Sequence, residues 1–192
     1  METSVTISEF LAYYRQCMRL KPVDAGIYSP LVLAYVGDAV YEIIIRTRMI
    51  NHGSLQVSKL HRRSSELVRA GSQARLIRLI EGMLTQEEHA VYKRGRNAKS
   101  GTSAKNASMI DYRRATGLEA LVGWLFLREE YGRLVDLVSQ GLERMGVFQE
   151  AEKLGNDSGL PESRSEAAQQ GNPAVMMNDW KKQETVSYTH LR

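Results

Sequence analysis

Apolar positions recur three and four residues apart along most of the first 148 residues, and nowhere does the strict alternation of a half-buried strand persist. The spacing predicts a succession of helices. The first covers Glu9 to Leu20, with Ser8 as its cap. Lys21 to Ser29 carries Pro22, Gly26 and a Ser-Pro pair, and reads as a loop. Pro30 stands where a first-turn proline is tolerated, ahead of Leu31 to Ile50, the most hydrophobic run in the chain. Asn51-His52-Gly53 closes that run. Further helices are expected over Gln56 to Ala70, Ser72 to Glu81 and Thr85 to Lys93, the last opened by a capping-box pattern of Thr85 and Glu88. Arg94 to Asn106, with Gly95 and Gly101, reads as a polar loop. Helix resumes near Ser108, runs to about Glu130, breaks at Gly132 and returns from Leu134 to Met145. The fold class expected is all-α, in one domain over residues 1–148. Tyr35, Trp124, Phe126 and most methionines are expected in its core.

Residues 149–192 differ. They are rich in Gly, Ser, Asn, Gln and Glu and poor in aliphatics, so a disordered tail is expected there. The closing VSYTHLR bears no relation to the pattern before it and carries no weight in the reading.

Charge changes the picture more than composition does. The net charge of +4 conceals a split: residues 1–148 carry +6 and residues 149–192 carry −2. Lys59 to Arg114 alone holds 13 basic against 5 acidic side chains. A polyanionic partner and a merely well-solvated helical surface both fit such a segment. One cysteine, Cys17, excludes an internal disulfide framework and a cysteine-rich zinc site. With no signal-peptide pattern and no apolar run near the roughly 20 residues of a membrane span, a cytoplasmic protein without membrane contact is the expectation.

Two carboxylates stand out because they sit in apolar helices. In PLVLAYVGDAVYEIII (Pro30 to Ile45), Leu31, Ala34, Tyr35, Asp38, Glu42 and Ile45 share one face. In ATGLEALVGWLFL (Ala115 to Leu127), Thr116, Glu119, Gly123 and Phe126 do the same. Gly37 and Ala39 beside Asp38, and Ala120 and Gly123 beside Glu119, permit close approach of a neighbouring helix or a ligand. Two adjacent carboxylates repel and raise at least one pKa, a conflict that a bound Mg²⁺ removes. Two alternatives stay open at this point: Asp38 pairs with a buried Arg or caps a turn, and Glu119 is half exposed at a helix edge. Glu42, one turn after Asp38, either extends the acidic site or is a solvated neighbour.

These residues lie in strings that resemble the ribonuclease III family, and within it the Mini-ribonuclease III group. The resemblance rests on LAYVGDAVYE (Leu33 to Glu42), KRGRNAKSGT (Lys93 to Thr102) with AKN after it, and YRRATGLEALVG (Tyr112 to Gly123), and it covers about Tyr28 to Met145. It implies an all-helical nuclease domain working as a homodimer, without the double-stranded-RNA-binding domain of larger relatives. It also implies Mg²⁺-dependent (or Mn²⁺-dependent) cleavage of double-stranded RNA leaving a 5′-phosphate, with precursor 23S ribosomal RNA as the usual substrate. Asp38 matches the family's GD aspartate and Glu119 its EAL glutamate, so these two are the implied catalytic residues and metal ligands. Glu42 and Thr116 are candidates to support them. The general family pattern places further acids where this chain has Ala34 and Thr116; the Mini-ribonuclease group resembles this chain in lacking them, so the resemblance leaves one metal ion or two open.

Under the same resemblance the segment Lys93 to Asn106 is the RNA contact. Duplex RNA is read mainly by shape, through phosphates and 2′-hydroxyls. Lys93, Arg94, Arg96, Lys99 and Lys105 suit the phosphates; Asn97, Ser100 and Thr102 suit the sugar hydroxyls; Gly95 and Gly101 let the backbone approach. Arg62, Arg63, Arg69, Arg75 and Arg78 either widen this footprint or are solvated. His52, His61, His89 and His190 are expected to be ordinary surface residues. Two competing functions remain. A non-catalytic duplex-RNA-binding ribosome-assembly factor on the same fold is separated by incubation with duplex RNA with and without Mg²⁺. A helical DNA-binding module has no use for two acids in apolar helices, and competition between duplex RNA and DNA separates it.

Overall fold

The computed structural model describes residues 7–21, 24–51, 56–99 and 108–149, all within one unit, Met1–Ala151. The described residues form seven α-helices and no strand: α1 (Ile7–Cys17), α2 (Pro30–Asn51), α3 (Val57–Val68), α4 (Ala70–Ile80), α5 (Gln86–Asn97), α6 (Met109–Leu127) and α7 (Tyr131–Arg144), with single 3₁₀ turns before α2 and after α4. The tail from residue 150 lies outside the described residues.

Helix α6 is the axis of the fold. It is apolar around most of its circumference, which suits a helix packed on several sides. Every residue from Ala115 to Leu125 except Glu119 is buried. Helices α2, α4, α5 and α7 all pack on it. Local chemistry sets the helix starts. The Ser29 hydroxyl accepts from the Val32 N–H at 3.3 Å, just ahead of Pro30. Thr85 and Glu88 complete the expected capping box: the Thr85 N–H donates to Glu88 Oε2 at 2.7 Å and the Glu88 N–H to Thr85 Oγ1 at 3.2 Å. Ser108 caps α6 by accepting from the Asp111 N–H at 3.0 Å.

Several boundaries differ from the sequence reading, each for a local reason. Helix α1 begins at Ile7, so Ser8 lies inside it rather than capping it. The break between α3 and α4 is Arg69 in extended conformation, and Gly71 sits in the first turn of α4. After α6 the chain turns at Arg128–Glu130, where Glu129 adopts φ +62° and the Glu130 N–H reaches back to the Leu125 carbonyl at 3.0 Å. Gly132 therefore breaks nothing; it lies in the first turn of α7.

Tyr35 is the largest departure in burial. It was expected in the core but is 83% exposed, because α2 buries Leu33, Gly37 and Tyr41 and leaves Tyr35 outside. Val32, Tyr35, Ala39, Ile43 and Ile50 then form an exposed stripe at helical spacing along α2. Trp124 is buried as expected, and Phe126 half-buried. Of the methionines, Met18 and Met109 are exposed and Met49, Met83 and Met145 half-buried, so the expectation of core methionines fails for the described ones.

One buried ion pair, unforeseen from the sequence, ties α5 to α7. Glu88 is 3% exposed and accepts two bonds from Arg133, at 2.7 and 2.9 Å, while Arg133 also donates to the Met83 carbonyl at 2.7 Å. The Arg133 hydrogen bond is the main cause that holds the Glu88 carboxyl below its ordinary pKa.

Candidate active site

The crossing of α2 and α6 is made without side chains. A Cβ on Gly37 would lie 1.8 Å from the Glu119 carbonyl oxygen and 2.6 Å from the Gly123 nitrogen. A Cβ on Gly123 would lie 2.0 Å from the Leu33 carbonyl oxygen. Only glycine fits at either place. The backbones therefore touch one residue before Asp38 and at Glu119 itself, which brings two acids from helices far apart in sequence close enough for the Asp38 charge to act on Glu119.

Their surroundings differ. Asp38 is exposed on the rim of α2, and Glu119 is half-buried between α6 and its neighbours. Burial pushes the Glu119 carboxyl up to about 7, and the Asp38 charge pushes it the same way. Asp38 is also raised, first by burial and then by the Glu42 charge. Among the described residues, no Lys or Arg figures among the causes that set either carboxyl's pKa. Among the described residues Asp38 makes no ion pair with an Arg, as the first alternative would require. Two neighbouring carboxylates that raise rather than neutralise one another are a suitable donor pair for a hard divalent cation. The set is lean: among the described residues no group of three His, Cys, Asp or Glu side chains converges on such an ion.

Glu42 is drawn away from this pair. Its Oε2 accepts from Arg46 Nη2 at 2.7 Å and Nε at 2.9 Å, an i,i+4 ion pair on the surface of α2. Thr116 is buried, and its hydroxyl donates to the Tyr112 carbonyl at 3.1 Å, one turn back in its own helix. Gln73, which sequence reasoning passed over, does reach the site. It is 1% exposed on α4, and its amide opposes the rise in the Glu119 pKa by hydrogen bonding. The signal was available: Gln73, Leu76, Ile77 and Ile80 form one buried stripe, and a glutamine heads it.

The basic segment is not the loop expected. Helix α5 continues through Asn97, so Arg94, Arg96 and Asn97 occupy its last turn with Lys93 just before it, and Ala98 and Lys99 follow before this stretch of described residues ends. Lys93, Arg94, Asn97 and Lys99 are exposed, whereas Arg96 is half-buried with its guanidinium 5.5 Å from the Tyr92 ring centre. Gly95 serves packing rather than a ligand: a Cβ there would lie 2.7 Å from Ala120 Cβ and 2.9 Å from Gly117 Cα. Ser100, Gly101, Thr102 and Lys105 lie outside the described residues. Of the histidines, His61 is exposed, and His89 is half-buried with Nε2 3.2 Å from Glu81 Oε1; His52 and His190 are outside.

The chain is similar to proteins already known. The family model of the Ribonuclease III domain matches residues 31–130, which include both carboxylates. A Mini-ribonuclease 3 of Clostridium tetani is 52% identical over 111 residues, covering 57% of this chain and 74% of that protein. One from Enterococcus faecalis is 47% identical over 122 residues, 62% of this chain and 92% of that protein. One from Streptococcus pneumoniae is 42% identical over 125 residues, 64% and 98% respectively. An X-ray crystal structure of a Fusobacterium nucleatum protein superposes with a TM-score of 0.57 at 27% identity, over 62% of this chain and 95% of that one.

Proposed function

From a chain that belongs to the ribonuclease III family, in its Mini-ribonuclease 3 branch, and is an endoribonuclease, we infer cleavage of double-stranded RNA with Asp38 and Glu119 as the ligands of Mg²⁺. The observation that carries this reading is the glycine crossing that brings Asp38 close enough for its charge to raise the Glu119 carboxyl. When bound, the divalent ion supplies water activation and charge neutralisation at the scissile phosphate. Asp38 and Glu119 would hold it: Glu119 from the half-buried side, Asp38 from the exposed rim of α2. With two carboxylates from the protein, waters and the substrate phosphate would complete the shell. Hydrolysis leaves a 5′-phosphate on the product.

Lys93, Arg94 and Lys99 stand ready for phosphates, with Asn97 beside them for sugar hydroxyls. The exposed stripe on α2 supports a homodimer. Val32, Tyr35, Ile43 and Ile50 are costly to leave in water, and a second copy of the same stripe covers them by two-fold symmetry. Tyr35 lies three residues before Asp38, so such an interface borders the site, and the two sites then serve the two strands of one duplex. Among the described residues no helix is long and apolar enough to cross a membrane. The substrate proposed is precursor 23S ribosomal RNA, and the place of action the cytoplasm. Incubating purified protein with duplex RNA, in Mg²⁺ and in excess chelator, tests the reading: cutting in Mg²⁺ alone is expected. Binding without cutting in both would favour an assembly factor.

A further inference from the structure

Helices α5 and α6 run antiparallel. Arg128, the residue after α6, places Nη1 3.3 Å from Oε1 of Glu87 in the first turn of α5, while Gly95 near the end of α5 crosses the first half of α6. The last turn of α5 and the first turns of α6 therefore lie together. A Cβ on Gly95 would meet Ala120 Cβ at 2.7 Å, Gly117 Cα at 2.9 Å and the Thr116 carbonyl oxygen at 3.0 Å. Arg113 precedes Thr116, Gly117 and Ala120 by three, four and seven residues, so it stands on the same face of α6, one turn beyond the crossing. There α5 has ended, extended at Ala98, and Arg113 is exposed. Among the described residues Arg113 has no hydrogen bond, ion pair or ring contact.

On the α5 side of the same end, Lys93, Arg94 and Lys99 are exposed. Residues 93–99 contain no acid. Asp111, the one acid in residues 108–114, is engaged in the cap of α6, where it accepts from the Ser108 hydroxyl at 2.8 Å. The positive charge of the two helix ends is thus open to a polyanion. We propose that Arg113 is a phosphate contact of the RNA interface, the α6 half of a clamp whose α5 half is Lys93, Arg94 and Lys99. The inference rests on the reading of the chain as a duplex-RNA nuclease, and it extends the RNA interface onto the helix that carries Glu119. Arg113 precedes Glu119 by six residues, about 9 Å of helix rise, so a phosphate held there belongs to the same stretch of duplex as the one being cut. The guanidinium fork suits phosphate oxygens. Helix α6 is held by α2, α4, α5 and α7, so an arginine on it registers the duplex against the carboxylates from a rigid element.

The test is duplex-RNA affinity across a salt series, in chelator to prevent cutting, for wild type, Arg113→Gln, Arg113→Lys, Arg94→Ala and Arg128→Gln. Arg128→Gln removes the same charge at the opposite end of α6. Arg113→Gln is expected to bind several-fold more weakly and to reduce the slope of log affinity against log salt by about one. Arg113→Lys should keep the wild-type slope, and so should Arg128→Gln. In Mg²⁺, Arg113→Gln should raise KM several-fold and leave kcat unchanged. If Arg94→Ala lowers the slope and Arg113→Gln does not, the role of Arg113 alone is overturned. A wild-type chain without salt-dependent affinity for duplex RNA overturns the reading of the RNA interface itself. A measurement on the wild-type chain covers a variant that does not fold: duplex RNA is expected to protect Arg113 from phenylglyoxal, read by peptide mass spectrometry. Modification of Arg113 at the RNA-free rate overturns the inference.

Discussion

Gly37 and Glu119 meet backbone to backbone, with room for no atom between the Gly37 Cα and the Glu119 carbonyl. The contact brings Asp38, the next residue, near enough for its charge to raise the Glu119 carboxyl. Gly37→Ala is expected to cost at least about 3 kcal/mol, since both partners are helical backbone and neither can step aside. Gly132→Ala is the contrasting control. Nothing lies within 4 Å of a Cβ there, and alanine is the better helix former by about 0.5–1 kcal/mol. Thermal or urea denaturation of the two variants should therefore move in opposite directions.

The Glu88–Arg133 pair holds α5 against α7, and Arg133→Met leaves a buried carboxylate without its partner. The Arg133 side chain is 33% exposed, so the expected loss is about 2–3 kcal/mol rather than that of a fully buried pair. Its pH dependence has a definite sign. Glu88 has a depressed folded pKa, so the pair stabilises fully above the ordinary glutamate value of 4.5 and loses its effect as pH falls through the lower folded value. Denaturant titrations of wild type and variant should differ most near neutrality and converge in acid.

Glu119 behaves in the opposite sense. Its folded pKa of about 7 lies above the ordinary 4.5, so between those values the metal-free folded state holds a proton that the unfolded state has lost. Stability of the metal-free protein then falls as pH rises across that window. Glu119→Gln removes the penalty. In chelator it should match wild type near pH 5 and exceed it near pH 8 by on the order of 1–3 kcal/mol. Added Mg²⁺ should stabilise wild type and leave Glu119→Gln where it was.

On the nucleic-acid side, Arg94 and Arg96 are no longer equivalent. Arg94 is exposed at the end of α5, while Arg96 lies over Tyr92. Arg94→Ala should weaken binding of every duplex RNA and reduce the slope of log affinity against log salt by about one. Arg96→Ala should lower the melting temperature as well. Filter binding across a salt series, beside a melt, separates the two.

Much of this was legible in the residues. Spacing of three and four gave the helices; Thr85 with Glu88, and Ser29 with Pro30, marked starts that the fold keeps. Asp38 and Glu119 were conspicuous because acids are costly in apolar helices. What stayed hidden depended on packing. Gly95 read as loop chemistry, yet it is a helix crossing, because a glycine that admits a neighbour looks the same in sequence as one that admits a turn. Tyr35 read as core because periodicity gives a face and does not say which face meets α6. Gln73 was visible as a polar residue in an apolar stripe, but its value lies in what α6 brings to it from far along the chain. The Glu88–Arg133 pair is likewise a contact between residues 45 positions apart.

The central claim is that Asp38 and Glu119 together hold the ion that cleaves duplex RNA. Asp38 is exposed, so Asp38→Asn removes a charge without opening a cavity, and melting temperature and duplex-RNA affinity should stay at wild-type values. The decisive measurement is its single-turnover cleavage rate on duplex RNA in saturating Mg²⁺. A fall of about 10³-fold or more is expected, the scale on which removal of a principal charge-stabilising group acts. Cleavage by folded Asp38→Asn at the wild-type rate would contradict the assignment.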